Sequence, residues 1–136
     1  MLKEVGDKQF LLLAMGNLSG LLAKMGRDEE SYQIINEKLR MCREMGYRVD
    51  EASALCSLGH YHLKKSALDE AFDCFRNACA IASEKTIGVH LFRGMMPLYR
   101  VLKENGYAEV DDCFPKHWGD PGKVTRDDHM PEKQEN

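Results

Sequence analysis

The side chains best suited to chemistry in this sequence are its cysteines and histidines, which bind metals or act as nucleophile and base. There are five of each: Cys42, Cys56, Cys74, Cys79, Cys113, His60, His62, His90, His117 and His129. Zinc sites draw their ligands from short paired spacings, and neither C-x-x-C nor H-x-x-x-H occurs. On a helix, residues two apart such as His60 and His62 do not face each other. The spacing predicts no metal, no cofactor, and buried apolar thiols instead.

Catalytic chemistry of other kinds also lacks a local signature. A cysteine nucleophile needs a nearby histidine and a group that orients it, and no sequence pattern supplies this arrangement. No phosphate-binding loop of the form G-x-x-x-x-G-K-[ST] is present. The Gly16 and Gly20 pair forms a G-x-x-x-G spacing outside any long apolar segment, which is typical of close helix packing. We therefore predict that the chain is not an enzyme.

Composition narrows the class of protein further. The chain has 136 residues, which is about one domain, and its 43% hydrophobic and 30% charged residues are typical of globular proteins. A net charge of −3 gives no reason to expect nucleic acid as a partner. No signal peptide or membrane-length apolar run is visible, and an odd number of scattered cysteines favours a reducing compartment. We expect a soluble, cytoplasmic protein with no membrane partner.

The secondary-structure elements that must position the cysteine and histidine side chains recur with a period of 40 residues, which is typical of stacked helical units. The recurring positions in three copies are Met15, Leu18 and Leu22, then Leu55, Leu58 and His62, then Met95, Leu98 and Leu102. Their spacing of i, i+3 and i+7 places each trio on one helical stripe. Gly26 and Gly106 then suit a turn, and acidic residues such as Asp28 and Asp69 suit the start of a second helix. Each unit is predicted to be helix, turn, helix.

This pattern predicts an all-α chain of five to six helices. They are expected near residues 8–24, 28–45, 50–64, 68–85, 88–104 and, shorter, 107–113. Pro97 lies inside the fifth and is expected to kink it, with Gly94 easing the kink. The helical domain is expected at 4–114, in units of about 12–51, 52–91 and 92–114, with a polar, disordered tail at 115–136. Because residues 4–7 resemble residues 44–47, the chain is also expected to be a piece of a longer array.

The middle copy resembles the tetratricopeptide repeat family. The matching residues are Leu58, Gly59, Ala71, Phe75 and Ala78. In the first copy, Lys38 stands where the family has a small residue. The period of 40 exceeds the usual 34 and is similar to the longer repeats of G-protein-signalling modulators. The resemblance covers about residues 4–114 and implies a right-handed solenoid of antiparallel helix pairs that binds proteins.

The resemblance also implies a binding groove, since the first helix of each unit lines the concave side in that family. The corresponding positions are Leu13, Gly16, Gly20, Lys24, Ser53, Cys56, His60, Lys64, Arg93, Met96, Arg100 and Glu104. Arg93 and Arg100 are two helical turns apart and would together hold an acidic or C-terminal carboxylate, or else form a solvated face. Met96 is expected to point away from Met95, although methionines more often lie in the core.

The predicted function is therefore a scaffold or adaptor that binds a peptide or helix, with an acidic one as the candidate partner. Two alternatives remain open. In the first, the chain is a capping or spacer segment of a larger signalling protein. In the second, it is a self-association module, because the apolar run Leu11, Leu12 and Leu13 is exposed unless something covers it.

Overall fold

The computed structural model describes residues 2–85 and 89–119. All regular structure in these residues is helical, which confirms the predicted all-α class. The six helices are α1 (Leu2–Lys24), α2 (Asp28–Met45), α3 (Arg48–Lys64), α4 (Leu68–Lys85), α5 (Val89–Glu104) and α6 (Val110–Cys113), followed by a 3₁₀ turn (Lys116–Trp118). No helix among the described residues is both long enough and apolar enough to cross a membrane.

Four of the turns between helices have the same structure. Gly26, Gly46, Ser66 and Gly106 each adopt a positive φ, at 80°, 74°, 59° and 96°. The residue after each one donates its backbone N–H to the carbonyl five positions earlier: Arg27 to Leu22, Tyr47 to Cys42, Ala67 to His62 and Tyr107 to Leu102, at 2.8–3.0 Å. This bond, with a left-handed residue before it, is the Schellman ending of a helix. The four endings are 20, 20 and 40 residues apart, so they include the 40-residue spacing of the sequence but do not single it out.

The core lies where α3, α4 and α5 meet. Its largest fully buried side chains include Phe75, Phe92, Met95, Leu98 and Leu102. Small residues allow these helices to approach closely: a Cβ atom on Gly59 would lie 3.1 Å from Leu98 Cδ1. The α1 and α2 pair extends this core, because α1 packs on α2 and α2 packs on α3.

The predicted boundaries differ from the structure mainly near the two ends. Helix α1 begins at Leu2 instead of residue 8, and α6 is a single turn that begins at Val110 instead of residue 107. The helix α5 continues through Pro97.

The ordered chain also extends past the predicted end at residue 114. Pro115 is fully buried, and the Trp118 ring lies edge-on to Phe92 and Phe114, with 5.4 Å between ring centroids in each case. These apolar groups anchor a segment whose average composition is polar. The remainder of the predicted tail, residues 120–136, lies outside the described residues.

Candidate partner groove between α1, α2 and α3

A cavity of about 170 Å³ lies between α1, α2 and α3. Its lining residues are Ser19, Gly20, Ala23, Asp28, Ser31, Ile35, Ser57, His60, Tyr61 and Lys64. Three of them, Gly20, His60 and Lys64, are among the groove positions predicted from the sequence. Predicted groove residues of α1 and α3 therefore line the same cavity.

The wall that α1 contributes to the cavity consists of small residues whose polar atoms are satisfied internally. Ser31 Oγ donates to the Ser19 carbonyl at 2.8 Å, and Ser19 Oγ donates to the Gly16 carbonyl at 3.0 Å. Both serines are buried. A Cβ atom added to Gly20 would meet no other atom within 4 Å, so the space beside this glycine is open. The absence of a side chain at Gly20 is what leaves the cavity accessible.

His60 is held in place by α5. Its Nε2 atom lies 2.7 Å from the carbonyl oxygen of Gly94, and because a carbonyl only accepts, Nε2 carries the proton. This bond lies close to Pro97, which has no N–H to donate to the carbonyl of Arg93. His60 thus connects the wall of the cavity to the part of α5 where Pro97 leaves one backbone hydrogen bond unmade.

Lys64 closes one end of the cavity through an ion pair. Its ammonium lies 2.7 Å from Asp28 Oδ1 and 3.4 Å from the carbonyl of Ala23, so it joins the end of α1 to the start of α2. The hydrogen bond from Lys64 lowers the pKa of the Asp28 carboxyl. Next to this pair, the Tyr61 ring stacks on Tyr32 at 4.4 Å between centroids. This end of the groove is a structural connection between the helices.

Lys38 of α2 is a buried cation beside the predicted groove position Gly16, and the predicted groove positions did not include it. It is only 8% exposed, and its Nζ lies 2.8 Å from the point that a Cβ atom on Gly16 would occupy. Gly16 is itself a predicted groove position, one helical turn from Gly20. Across residues 2–85 and 89–119, no hydrogen bond or ion pair to Lys38 is found. The signal in the sequence was the presence of a lysine where the repeat pattern has a small residue.

The other predicted groove residues are not part of the cavity lining. Lys24, Ser53 and Arg93 are exposed, and Arg100 is half-buried. Cys56 and Met96 are buried instead of lining an open surface, which corrects the prediction for these two positions.

Close packing of α5 on α3 explains the burial of Cys56. A Cβ atom on Gly94 would lie only 2.8 Å from Cys56 Sγ. This absence of a side chain on α5 brings the two helices together over the thiol. The predicted groove position Cys56 is therefore covered by α5.

The thiols are poorly suited to catalysis. Burial raises the pKa of Cys42 and Cys74 to about 11 and that of Cys56 to about 12, whereas a nucleophilic cysteine needs a lowered pKa. In the part of the chain that the structure describes, no three His, Cys, Asp or Glu side chains are grouped as metal ligands. The arrangement is suited to non-covalent binding.

Comparison of the chain with protein-family models, curated proteins and solved structures gives no match. The interpretation of the groove therefore depends on its own geometry and on the residues that carry the repeat resemblance.

Proposed function

We propose that this chain is a protein-interaction scaffold of the tetratricopeptide-repeat type, a right-handed solenoid of antiparallel helix pairs that binds a peptide or helix in the groove between α1 and α3. The observation that carries the proposal is the cavity at which Gly20, His60 and Lys64 converge. Concave, mostly pre-formed sites with a few fixed polar groups are the usual form of a binding site.

The repeated turns support the repeat part of this proposal. Four helix ends share the same hydrogen bond and a residue of positive φ, and three of them, at Gly26, Ser66 and Gly106, are 40 residues apart. Units of this kind stack because each one alone cannot bury its apolar face. Helix pairs stacked in register leave their first helices side by side, which is the arrangement that a continuous groove needs.

The chemistry of the groove favours a segment with one apolar side chain and one acidic group. A cavity of about 150 Å³ accommodates a group the size of benzene, so the space beside Gly20 suits one apolar side chain of the ligand. One helical turn away, the ammonium of Lys38 has no counterion within the described residues. A carboxylate of the ligand placed beside Gly16 would neutralise this charge.

The proposal is tested by filling the cavity without disturbing the fold. Gly20→Leu places a side chain in the open space and replaces a helical glycine, so the helix is stabilised by up to about 1 kcal/mol. Gly6→Leu makes the same change on α1 at another open, exposed position and serves as the matched control.

The immobilised full chain and both variants are compared for the proteins that they retain from a cell extract, by quantitative mass spectrometry. We expect at least one protein that the full chain and Gly6→Leu retain and that Gly20→Leu retains at least about tenfold less. Equal retention of every captured protein by Gly20→Leu would remove the proposed groove.

A further inference from the structure

Asn105 and Gly106 lie in the turn between α5 and α6 and form a chemically reactive pair. The side-chain amide carbon of asparagine is an electrophile, and asparagine is one of the thermally labile residues. The nucleophile is the backbone nitrogen of the next residue, which closes a five-membered ring on this carbon. A side chain on the next residue hinders the approach, and glycine has none. Of the asparagines in the described residues, only Asn105 precedes a glycine; the others are Asn17, Asn36 and Asn77.

The turn also sets this pair apart in structure. Asn105 and Gly106 follow the end of α5, and both are exposed. A Cβ atom on Gly106 would meet no other atom within 4 Å, so there is open space beside its backbone. The other three asparagines lie within α1, α2 and α4, where the backbone N–H of the next residue is held in the hydrogen-bond ladder of the helix. Ring closure is therefore hindered at those three positions and favoured at Asn105.

The bonds that hold the turn closed are those of a helix end. The Gly106 N–H donates to the carbonyl of Lys103 at 3.1 Å, and the Asn105 side-chain amide donates to the carbonyl of Val101 at 2.7 Å. The first is a bond of the 3₁₀ type, which is common at the last turn of a helix and has poorer geometry than the helical bond. Fraying helix ends open at a far smaller free-energy cost than the core. One local opening therefore frees both the nucleophile and the electrophile.

We propose that Asn105 is a site of spontaneous modification, at which the chain converts its own asparagine into aspartate and isoaspartate. The Gly106 nitrogen loses its proton to water or hydroxide and attacks the amide carbon of Asn105. The new bond between nitrogen and carbon closes a cyclic imide, and the side-chain nitrogen takes up a proton and leaves as ammonia. Water then opens the ring, so the whole conversion consumes one water molecule and releases one ammonia, without an oxidant or a reductant.

The ring opens in two ways that differ in their effect on the backbone. Attack of water on the side-chain carbon breaks its bond to the Gly106 nitrogen and leaves a normal backbone with aspartate at position 105. Attack on the backbone carbon leaves the chain connected through the side chain. This second product is isoaspartate, and it lengthens the backbone of the turn by one methylene group.

Both products disturb the attachment of the turn to α4. Aspartate adds a negative charge at the negative end of α5, next to Glu104. Isoaspartate displaces Tyr107, whose N–H caps α5 at the Leu102 carbonyl at 3.0 Å and whose ring packs on Phe72 of α4 at 5.4 Å between centroids. The Tyr107 hydroxyl also donates to the carboxylate of Asp69 on α4. Conversion of Asn105 therefore loosens α6 from α4.

Peptide mass spectrometry on the incubated full chain tests the site. Exchange of NH for O raises the mass of the peptide that contains Asn105, and fragmentation distinguishes isoaspartate from aspartate. At physiological temperature and mildly alkaline pH, we expect conversion of Asn105 to be at least about tenfold faster than conversion of the three helical asparagines in the same molecules. The rate should rise with pH, because the Gly106 nitrogen attacks only after losing its proton.

Asn105→Gln is the matched control, because it keeps the amide but closes a larger ring much more slowly. It should give no product at this position over the same incubation. Similar rates at all four asparagines would overturn the proposal. Conversion of Asn105 only in the urea-unfolded chain would overturn it too, since the folded turn would then not open.

Hydrogen exchange on the same samples measures the loosening of α6. The Tyr107 N–H should exchange at least about tenfold faster in chains that carry isoaspartate, and it should not change in Asn105→Gln chains incubated for the same time. Unchanged exchange in converted chains would refute the effect on the turn. Neither Asn105 nor Gly106 lines the candidate groove, so these results are independent of partner binding.

Discussion

Ser66 occupies a turn position that glycine fills at Gly26 and Gly106. Its φ of 59° lies in the left-handed region, where a side chain is strained and glycine is not. Ser66→Gly should therefore raise the free energy of unfolding by roughly 0.5 to 1 kcal/mol, after allowing for the greater freedom of glycine in the unfolded chain. Urea unfolding measures the change. The reverse exchange, Gly26→Ser, should lower stability by a similar amount, and a Ser66→Gly variant that is less stable than the natural chain would contradict this account.

The fold alone does not explain why a lysine stands at position 38. Its side chain is buried, and it has no ion pair or hydrogen bond among the described residues. Replacing a buried, uncompensated charge with an apolar side chain of similar shape removes a desolvation cost. Lys38→Met should therefore unfold at the same or a higher urea concentration, with a gain of about 1 kcal/mol, and should bind an acidic partner segment more weakly.

Lys64 provides the control for the Lys38 prediction, because it is a groove lysine with a partner. Lys64→Met breaks the ion pair with Asp28 and removes the contact to the end of α1. It should leave the chain less stable than the natural protein. If Lys38→Met is destabilising by as much as Lys64→Met, Lys38 has a structural role instead of a binding one.

At the scale of the helices, Gly59 fixes the distance between α3 and α5. A Cβ atom there would lie 3.1 and 3.2 Å from the two methyl carbons of Leu98 and 3.4 Å from Cys74 Cβ. Gly59→Ala should therefore lower the free energy of unfolding by about 1 to 3 kcal/mol, despite the better helix propensity of alanine. Gly20→Ala, at an open position, should instead raise it by up to about 1 kcal/mol. If Gly59→Ala and Gly20→Ala changed the free energy of unfolding by the same amount, measured by urea unfolding, the contact between α3 and α5 would be looser than these distances indicate.

The helices in the middle of the chain were predicted most accurately from the sequence. The bounds of α2 and α4 agree with the predicted ranges, because acidic residues such as Asp28 and Asp69 mark the helix starts and a strong apolar stripe defines each helix. The start of α1 was missed, since apolar and polar residues are mixed around the whole helix and the stripe from Met15 to Leu22 does not extend to its first turns. The polar composition of residues 115–119 also gave a wrong prediction of disorder, because Pro115 is buried and Trp118 packs on the ring of Phe92, which is distant in the sequence.

At the scale of the whole molecule, the 40-residue register predicted part of the candidate site. It placed Gly20, His60 and Lys64 together because equivalent residues on equivalent helices share a face. The register wrongly predicted that Cys56 and Met96 line an open groove. The distance between α5 and α3 depends on the missing side chain of Gly94, which the register does not predict. Lys38 was not among the predicted groove positions because it lies on α2, and its ammonium approaches α1 only where Gly16 has no side chain.

The central claim, that a protein segment binds beside Gly20, is tested most directly by a photo-activated cross-linking residue at Ser57, which lines the cavity. The same residue at Asn77, exposed on α4 and away from the cavity, is the control. We predict that irradiation in cells joins the Ser57 variant to a defined partner protein, and that Gly20→Leu in the same chain abolishes this product. No product specific to Ser57, or a product that persists with Gly20→Leu, would contradict the claim that the groove is the binding site.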